Sequence, residues 1–241
     1  MQLHISKDTT ELSSTVADWL VAYIDKALQQ QDRFTIALSG GSTPRQLHEL
    51  LASDAYRNKI NWSKLHFFWG DERDVAFEDE RNNAKMGFDT LLNHVPVVPS
   101  QIHVMRTDID PEASAVAYEN ILHQYFDEAA FTFDLVFLGM GDDGHTLSLF
   151  PGNEAVITEQ QKWVTHLWLP AQDMHRITLT APVVNKAACV AFLVAGAKKA
   201  PVLKEVLYGN YQPFVYPSQV IKPLHGELHW FVDEAAAALI K

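Results

Sequence analysis

The stretch Phe34-Thr35-Ile36-Ala37-Leu38-Ser39-Gly40-Gly41-Ser42-Thr43-Pro44 runs from a mainly apolar segment through a glycine turn into a helical pattern. A short, continuous apolar segment is typical of a strand that is buried on both faces of a sheet. Residues 44–53 have helical spacing, and three leucines fall on one face. Because Thr43 is a good N-cap and Pro44 suits the first helical position, we expect the helix to begin there. The stretch therefore predicts a strand–turn–helix unit.

The same kind of apolar segment recurs along the chain and alternates with helical patterns. Apolar runs at 65–69 and 133–138 predict two more buried strands, and each ends at a polar or glycine-rich loop. This alternation predicts an α/β fold with a mostly parallel, Rossmann-like sheet that helices cover on both faces. No linker divides residues 1–241, so we expect a single domain. Further helices are predicted at 8–31, 81–92, 111–127, 197–207 and the C-terminus, and further strands at 163–169, 175–180, 188–195 and 227–232.

The composition indicates a folded protein and still permits a small anionic substrate. The chain has 241 residues, 47% of them hydrophobic, which is enough for one sizeable core. Its formal net charge is −11 and no Lys/Arg cluster is large enough to form a basic face, which argues against nucleic-acid and anionic-membrane partners. The sequence shows neither an apolar run of about 20 residues nor a signal-peptide pattern. The single cysteine, Cys189, lies in an apolar run, so we expect an inert buried thiol and a cytoplasmic location.

Three loops that follow strands carry unusual residues, and ligands of parallel sheets bind at this edge. In the first loop, Gly40 and Gly41 allow backbone N–H groups to approach an anion at a helix N-terminus. The hydroxyls of Ser42 and Thr43 would add donors to a phosphate group. An ordinary tight turn with a helix cap is the alternative interpretation.

Charged residues follow several other predicted strands. The second loop, at residues 70–74, reads Gly-Asp-Glu-Arg-Asp, so Arg73 could hold a substrate oxygen while Asp71 orients a neighbour. Farther along the chain, Arg176 and Lys199 could complete a phosphate pocket with the first loop. The alternatives are a solvated charged face for the second loop and a solvated helix start for Lys199.

The third loop reads Gly139-Met140-Gly141-Asp142-Asp143-Gly144-His145. Its glycines, Gly141 among them, can present backbone donors to a developing oxyanion. Histidine suits proton removal from water near neutral pH, so His145 is a candidate general base. Asp143, or alternatively Asp142, could hold the imidazole in the useful tautomer. The loop has no second histidine at i+4 and no cysteine ligand set, so we expect no metal.

Together these motifs resemble the 6-phosphogluconolactonase family over almost the whole chain. The most specific part is Gly-Asp-Asp-Gly-His-Thr at 141–146, followed by Ser-Leu-Phe-Pro-Gly at 148–152. The resemblance implies the sugar-phosphate isomerase/deaminase-like fold. It also implies an activity that needs no cofactor. It implies hydrolysis of 6-phospho-D-glucono-1,5-lactone to 6-phospho-D-gluconate in the oxidative pentose phosphate pathway. The matching segments are 39–44, 69–73, 139–152, 176–182, 196–199 and 217–234.

The resemblance also implies roles for individual residues. It places the family's catalytic histidine on His145 and its acidic and basic pair on Asp71 and Arg73. Phosphate contacts would fall on the Ser42-Thr43 loop, Arg176 and Lys199. The sequence departs from the family's usual pattern at two positions. Leu147 stands where a small residue is usual, which could narrow the pocket, and Asn82 stands where serine is common.

Two other functions compete with the lactonase interpretation. A glucosamine-6-phosphate deaminase would share the first and third loops, but that family usually follows the histidine with Asn-Glu-Pro-Gly. Here residues 149–152 read Leu-Phe-Pro-Gly, so the acidic residue used in ring opening is missing. The second loop also has Asp-Glu-Arg in place of Asp-Glu-Tyr. A non-catalytic sugar-phosphate sensor is the second alternative, and no partner-binding extension supports it.

Overall fold

The structure is a computed structural model that describes residues 1–240. Its strands, in chain order, are β1 (Gln2–Ser6), β2 (Phe34–Leu38), β3 (Leu65–Trp69), β4 (Asp71–Arg73), β5 (Leu135–Leu138), β6 (Val164–Leu169), β7 (Met174–Leu179), β8 (Cys189–Val194) and β9 (Glu227–Asp233). Its helices are α1 (Thr9–Leu28), α2 (Ser42–Ala52), α3 (Asn83–Thr90), α4 (Pro111–Phe126), α5 (Glu154–Ile157), α6 (Ala181–Asn185) and α7 (Ala200–Tyr208).

A parallel sheet forms the centre of the fold, with strand order β1-β9-β8-β5-β2-β3. Alternate residues of each strand point to opposite faces. Phe67 and Phe137 therefore pack in a core that includes residues of α1 and α2, on one face of the sheet. Their neighbours Phe68 and Val136 pack in a second core that includes residues of α4 and α7. The predicted α/β fold, with a mostly parallel sheet covered on both faces, is confirmed.

A second, smaller sheet was not predicted from the sequence. Strands β4, β7 and β6 form it in that order, and both pairs are antiparallel. Only Gly70 separates β4 from β3, so the chain leaves the large sheet and enters the small one within one residue. The register places Asp71 opposite Thr178 and Arg73 opposite Arg176. The segment interpreted as a charged loop is thus a short strand, and its alternation sends successive side chains to opposite faces.

Several local predictions need correction. Helix α2 begins at Ser42 with Gly41 as its N-cap, not at Thr43 and Pro44. The reason is the positive φ of Gly41, +107°, which turns the chain two residues earlier than the Thr-Pro pair suggests. The predicted C-terminal helix is wrong, because residues 234–240 form turns. Strand β1 was missed; it is a short edge strand that pairs only with β9.

Other expectations about the chain agree with the structure. Cys189 is fully buried in β8, and burial raises the pKa of its thiol to about 12. A thiol that holds its proton this tightly is a poor nucleophile, as expected of an inert core residue. None of the helices within residues 1–240 has the length and apolar character that a bilayer crossing requires.

Candidate active site

A cleft of about 250 Å³ opens beyond the carboxyl ends of β2, β3 and β5. This is the edge where ligands of parallel α/β sheets bind. All three loops singled out in the sequence contribute to the cleft, so the histidine loop and the Ser-Gly-Gly loop share one cavity. The lining residues are Ser39, Gly40, Asp71, Arg73, Asn83, Gly139, Met140, Gly141, His145, Thr146, Leu147, Gln172, Arg176 and Lys199.

His145 lines this cleft and Asp143 lies behind it. The imidazole Nδ1 is 2.5 Å from Asp143 Oδ1, and the same oxygen accepts the His145 backbone N–H at 3.1 Å. Burial would raise the pKa of Asp143, but the hydrogen bonds and charge of His145 outweigh it and lower that pKa. An ionised carboxylate only accepts, so Nδ1 carries the proton, and in the neutral imidazole Nε2 keeps a free lone pair. Of the two candidate aspartates, Asp143 is the one that contacts the ring.

Gly141 leaves the space in which this pair sits. A Cβ added at Gly141 would overlap both the imidazole of His145 and the carboxylate of Asp143. The Gly141 N–H donates to the His145 carbonyl at 2.8 Å, and the Gly144 N–H donates to the Gly141 carbonyl at 3.1 Å. Both N–H groups are therefore used inside the loop. The expectation that Gly141 presents its N–H to a substrate is corrected. The absence of a side chain at Gly141 leaves the space that the imidazole and the carboxylate occupy.

The residues after His145 form its floor. The Phe150 ring lies 4.4 Å from the imidazole, centroid to centroid, tilted by 36°. Thr146 Oγ1 donates to the Gly139 carbonyl at 2.8 Å and closes the base of the loop. Leu147 lines the cleft and has a φ of +55°, a region that leucine rarely occupies. A strained residue at a cleft wall is typical of functional sites.

A buried ion pair within the small sheet also lines the cleft. Asp71 Oδ2 lies 3.6 Å from Arg176 Nη1 and accepts from Ser148 Oγ at 2.7 Å. Arg176 Nη2 in turn donates to Gln172 Oε1 at 2.5 Å. Burial lowers the pKa of Arg176, and the nearby charge of Asp71 opposes that effect. Sequence reasoning found Asp71 and Arg176 but missed Ser148 and Gln172, which hold them.

Glu72 was also missed, although it lies between two predicted site residues. It is fully buried and accepts the backbone N–H groups of Arg73 at 2.7 Å, Asn83 at 2.7 Å and Ala84 at 2.8 Å. Burial raises the pKa of Glu72 to about 7, and these hydrogen bonds oppose the shift. Asn83 Nδ2 donates to the Asp71 carbonyl at 2.9 Å. The sequence offered no local signal for Glu72, because the alternation of a three-residue strand becomes visible only once its pairing with β7 is known.

Two guanidinium groups remain available to a ligand. Among the described residues, the Nε atoms of Arg73 and Arg176 are buried without a hydrogen-bond partner. Buried donors are normally satisfied, so these two fit an acceptor group that enters the cleft. A third cation, Lys199, lines the cleft and places Nζ 2.6 Å from Asp142 Oδ1. No three His, Cys, Asp or Glu side chains within residues 1–240 are grouped closely enough to hold a metal ion.

The first loop reaches the cleft only in part. Gly40 lines it, and a Cβ there would overlap the Asn83 side chain. Gly41, Ser42 and Thr43 are not among the lining residues, because the chain turns into α2 at Gly41. As at every helix start, the first N–H groups of α2 have no helical partner.

Comparison with known proteins is consistent with this geometry. Residues 7–230 match the model of the family described as glucosamine-6-phosphate isomerases/6-phosphogluconolactonase, and the chain belongs to that family. A 6-phosphogluconolactonase from Nostoc sp. is 41% identical, over 98% of this chain and 97% of its own.

Two solved structures extend the comparison. The crystal structure of a protein named devB has a TM-score of 0.90 at 32% identity, covering 100% of this chain and 99% of its own. A monomeric glucosamine-6-phosphate deaminase has a TM-score of 0.84 at 18% identity, covering 99% of this chain and 100% of its own, which shows a shared fold.

Proposed function

We propose that the protein is a 6-phosphogluconolactonase, which hydrolyses 6-phospho-D-glucono-1,5-lactone to 6-phospho-D-gluconate in the oxidative pentose phosphate pathway. One observation carries the proposal: the Asp143-bound imidazole of His145 faces the same cleft as Arg73, Arg176 and Lys199. A base beside a cluster of cations suits a substrate that is both anionic and open to attack by water. The name of the Nostoc relative supports the same activity.

In the proposed reaction, His145 Nε2 takes a proton from a water molecule as the water oxygen attacks the lactone carbonyl carbon. Asp143 keeps the proton on Nδ1 and stabilises the imidazolium that forms. When the tetrahedral intermediate collapses, the ring C–O bond breaks and the imidazolium returns the proton to the leaving ring oxygen. One water molecule is consumed and the base is regenerated. General-base catalysis of this kind contributes about 10²–10⁴-fold.

Different cations would serve the phosphate of the substrate and the oxyanion that forms at the lactone carbonyl. Arg73 would stabilise the oxyanion, because its Nε is buried and unpaired and its Nη1 is fixed by the Arg81 carbonyl at 2.7 Å. Arg176 and Lys199 would hold the phosphate, and the Gly40 turn lines the same cleft. This local positive group lets a chain with net charge −11 bind an anion.

The deaminase is the competing activity, since it shares the fold. Phe150 occupies the position in the Leu-Phe-Pro-Gly run where the deaminase family usually has its acidic residue. The Phe150 ring packs at 4.4 Å from the His145 ring, so an apolar surface replaces a carboxylate beside the base. Asp71, the carboxylate among the cleft-lining residues, is already bound by Ser148 and Arg176. This arrangement favours hydrolysis over proton transfer between sugar carbons.

The test compares the two reactions and simple binding. Freshly made phosphogluconolactone is added at constant pH, and acid release is measured above the spontaneous rate without protein. Ammonia release from glucosamine 6-phosphate is measured in parallel. We expect rapid acid release and no ammonia. Ammonia release without lactone turnover would assign the deaminase activity, and ligand binding without either reaction would indicate a sensor.

A further inference from the structure

The two adjacent aspartates of the histidine loop, residues 139–145, have different partners. Asp143 holds the ring of His145, whereas Asp142 reaches Lys199 at 2.6 Å from Oδ1 to Nζ. Asp142 takes no part in the proposed proton transfers. It nevertheless contacts Lys199, the cation that the proposed function assigns to the substrate phosphate. Asp142 therefore places a negative charge where the negatively charged phosphate must bind.

This ion pair differs from the other ion pair at the cleft. The Asp71 and Arg176 side chains are 11% and 5% exposed, and Ser148 Oγ also donates to the Asp71 carboxylate. The Lys199 and Asp142 side chains are 23% and 58% exposed. Exposed ion pairs contribute little net stability, so Asp142 can be moved aside at low cost. Asp71 cannot, because its partners would be left buried and unpaired.

We propose that Asp142 is a counter-ion that competes with phosphorylated ligands for Lys199 and thereby limits how tightly they bind. The inference rests on the proposed function. A phosphate monoester carries close to two negative charges near neutral pH and offers three acceptor oxygens to the same ammonium group. Asp142 must then yield Lys199 or share it, and its charge repels the phosphate in either case. Substrate and product carry the same phosphate, so this repulsion also favours product release.

The effect is expected on binding more than on the chemical step. Asp143 accepts both the ring Nδ1–H and the backbone N–H of His145, and neither contact involves Asp142. Displacement of Asp142 therefore leaves the orientation of the base intact. The substitution D142N separates charge from contact, since the amide oxygen can still accept from Lys199 Nζ while the negative charge is gone.

The experiment measures 6-phosphogluconate binding by titration calorimetry at low ionic strength. We expect D142N to lower the dissociation constant about three- to tenfold, and the gain to shrink as salt screens the repulsion. KM for the lactone should fall in the same direction, with a smaller change in kcat. Unphosphorylated gluconate should bind wild type and D142N alike. Unchanged or weaker 6-phosphogluconate binding by D142N overturns the proposal.

Two further variants exclude simpler explanations. Asp108 forms a similar exposed pair with Arg106 at 2.6 Å, and neither residue lines the cleft. D108N makes the same change in net charge, so an equal gain in affinity there would overturn the proposal. In a K199M background the part of the gain that comes from competition for Lys199 should disappear, and an undiminished gain would show that Lys199 is not involved.

Failure of the lactonase assignment is recognised separately. A wild-type protein that binds 6-phosphogluconate but leaves the lactone intact would contradict the proposed function, while the D142N comparison still decides the role of Asp142. A wild-type protein that does not bind 6-phosphogluconate would overturn both.

Discussion

The two walls of the cleft are built in different ways. On the wall formed by the small sheet and α3, buried or partly buried hydrogen bonds hold Asp71, Glu72 and Arg176. The opposite wall is a glycine-rich loop whose His145 side chain is 31% exposed. Buried polar groups hold their positions because each unmade hydrogen bond is costly. A base that must exchange protons with water needs access instead, so the comparison separates the groups proposed to position substrate from the group proposed to transfer protons.

The largest effect is expected on the loop wall. H145A removes the base while leaving the cations in place, so kcat should fall about 10³-fold with a much smaller change in KM. The assay uses fresh lactone and subtracts spontaneous hydrolysis. His123 offers a matched control, because its Nδ1 pairs with Asp127 Oδ1 at 2.6 Å on the surface of α4, away from the cleft. H123A should keep wild-type turnover, and an equal kcat in H145A would end the general-base proposal.

On the buried wall, Glu72 predicts a pH dependence of folding stability. Its pKa is raised from 4.5 to about 7 in the folded protein, so the folded state holds this proton more tightly than the unfolded state. The corresponding stability is present below pH 4.5 and is lost as pH rises through 7. At 1.36 kcal/mol per pKa unit the loss is about 3 kcal/mol.

The E72Q variant tests this dependence. Glutamine does not titrate, so the stability of the variant should not fall as the pH rises through 7. Its NH₂ group cannot accept a hydrogen bond, so one backbone N–H loses its acceptor and the variant should be less stable at every pH. Urea unfolding at pH 5 and pH 8 should show wild type losing about 2–3 kcal/mol relative to E72Q, because part of the total is already lost at pH 5. E128Q replaces an exposed glutamate and is the control, so its stability should change with pH as that of wild type does. Parallel pH profiles for wild type and E72Q would contradict the prediction.

A change of one methyl group should disrupt the loop wall. G141A puts a Cβ where the imidazole and the Asp143 carboxylate lie, so we expect kcat to fall about 10²-fold. The fold should survive, because the displaced side chains are partly exposed. G139A is the comparison in the same loop, since its Cβ would meet no atom closer than 4.0 Å. Similar losses in both variants would show that the loop needs glycine for its backbone alone.

The smallest effect is expected for a single phosphate contact. K199A should raise KM about tenfold and change kcat less, because the cation is proposed to bind ground state and transition state equally. The neighbouring Lys198 is exposed and lies outside the cleft lining, so K198A should leave KM unchanged. An unchanged KM in K199A would remove Lys199 from the phosphate site.

Prediction from the sequence succeeded where the signal is local. The apolar runs of β2, β3 and β5 located three parallel strands, and the strand-end rule located the loops that carry His145 and Asp71. It failed where long-range pairing decides the structure. The antiparallel pairing of β4 with β7 joins residues about 100 positions apart, and a three-residue charged segment carries no periodicity that would reveal it. Ser148, Gln172 and Glu72 escaped notice for the same reason.

The sequence by itself determined the α/β class, the glycine-rich loops and the residue types that can hold an anion and move a proton. These properties follow from the order of apolar, glycine and ionisable residues along the chain. The tertiary structure alone decided that Asp143 pairs with His145 while Asp142 pairs with Lys199, and that Gly141 provides space and not a donor. Adjacent residues on a loop have no fixed direction until the backbone dihedral angles and the packing of distant segments set one.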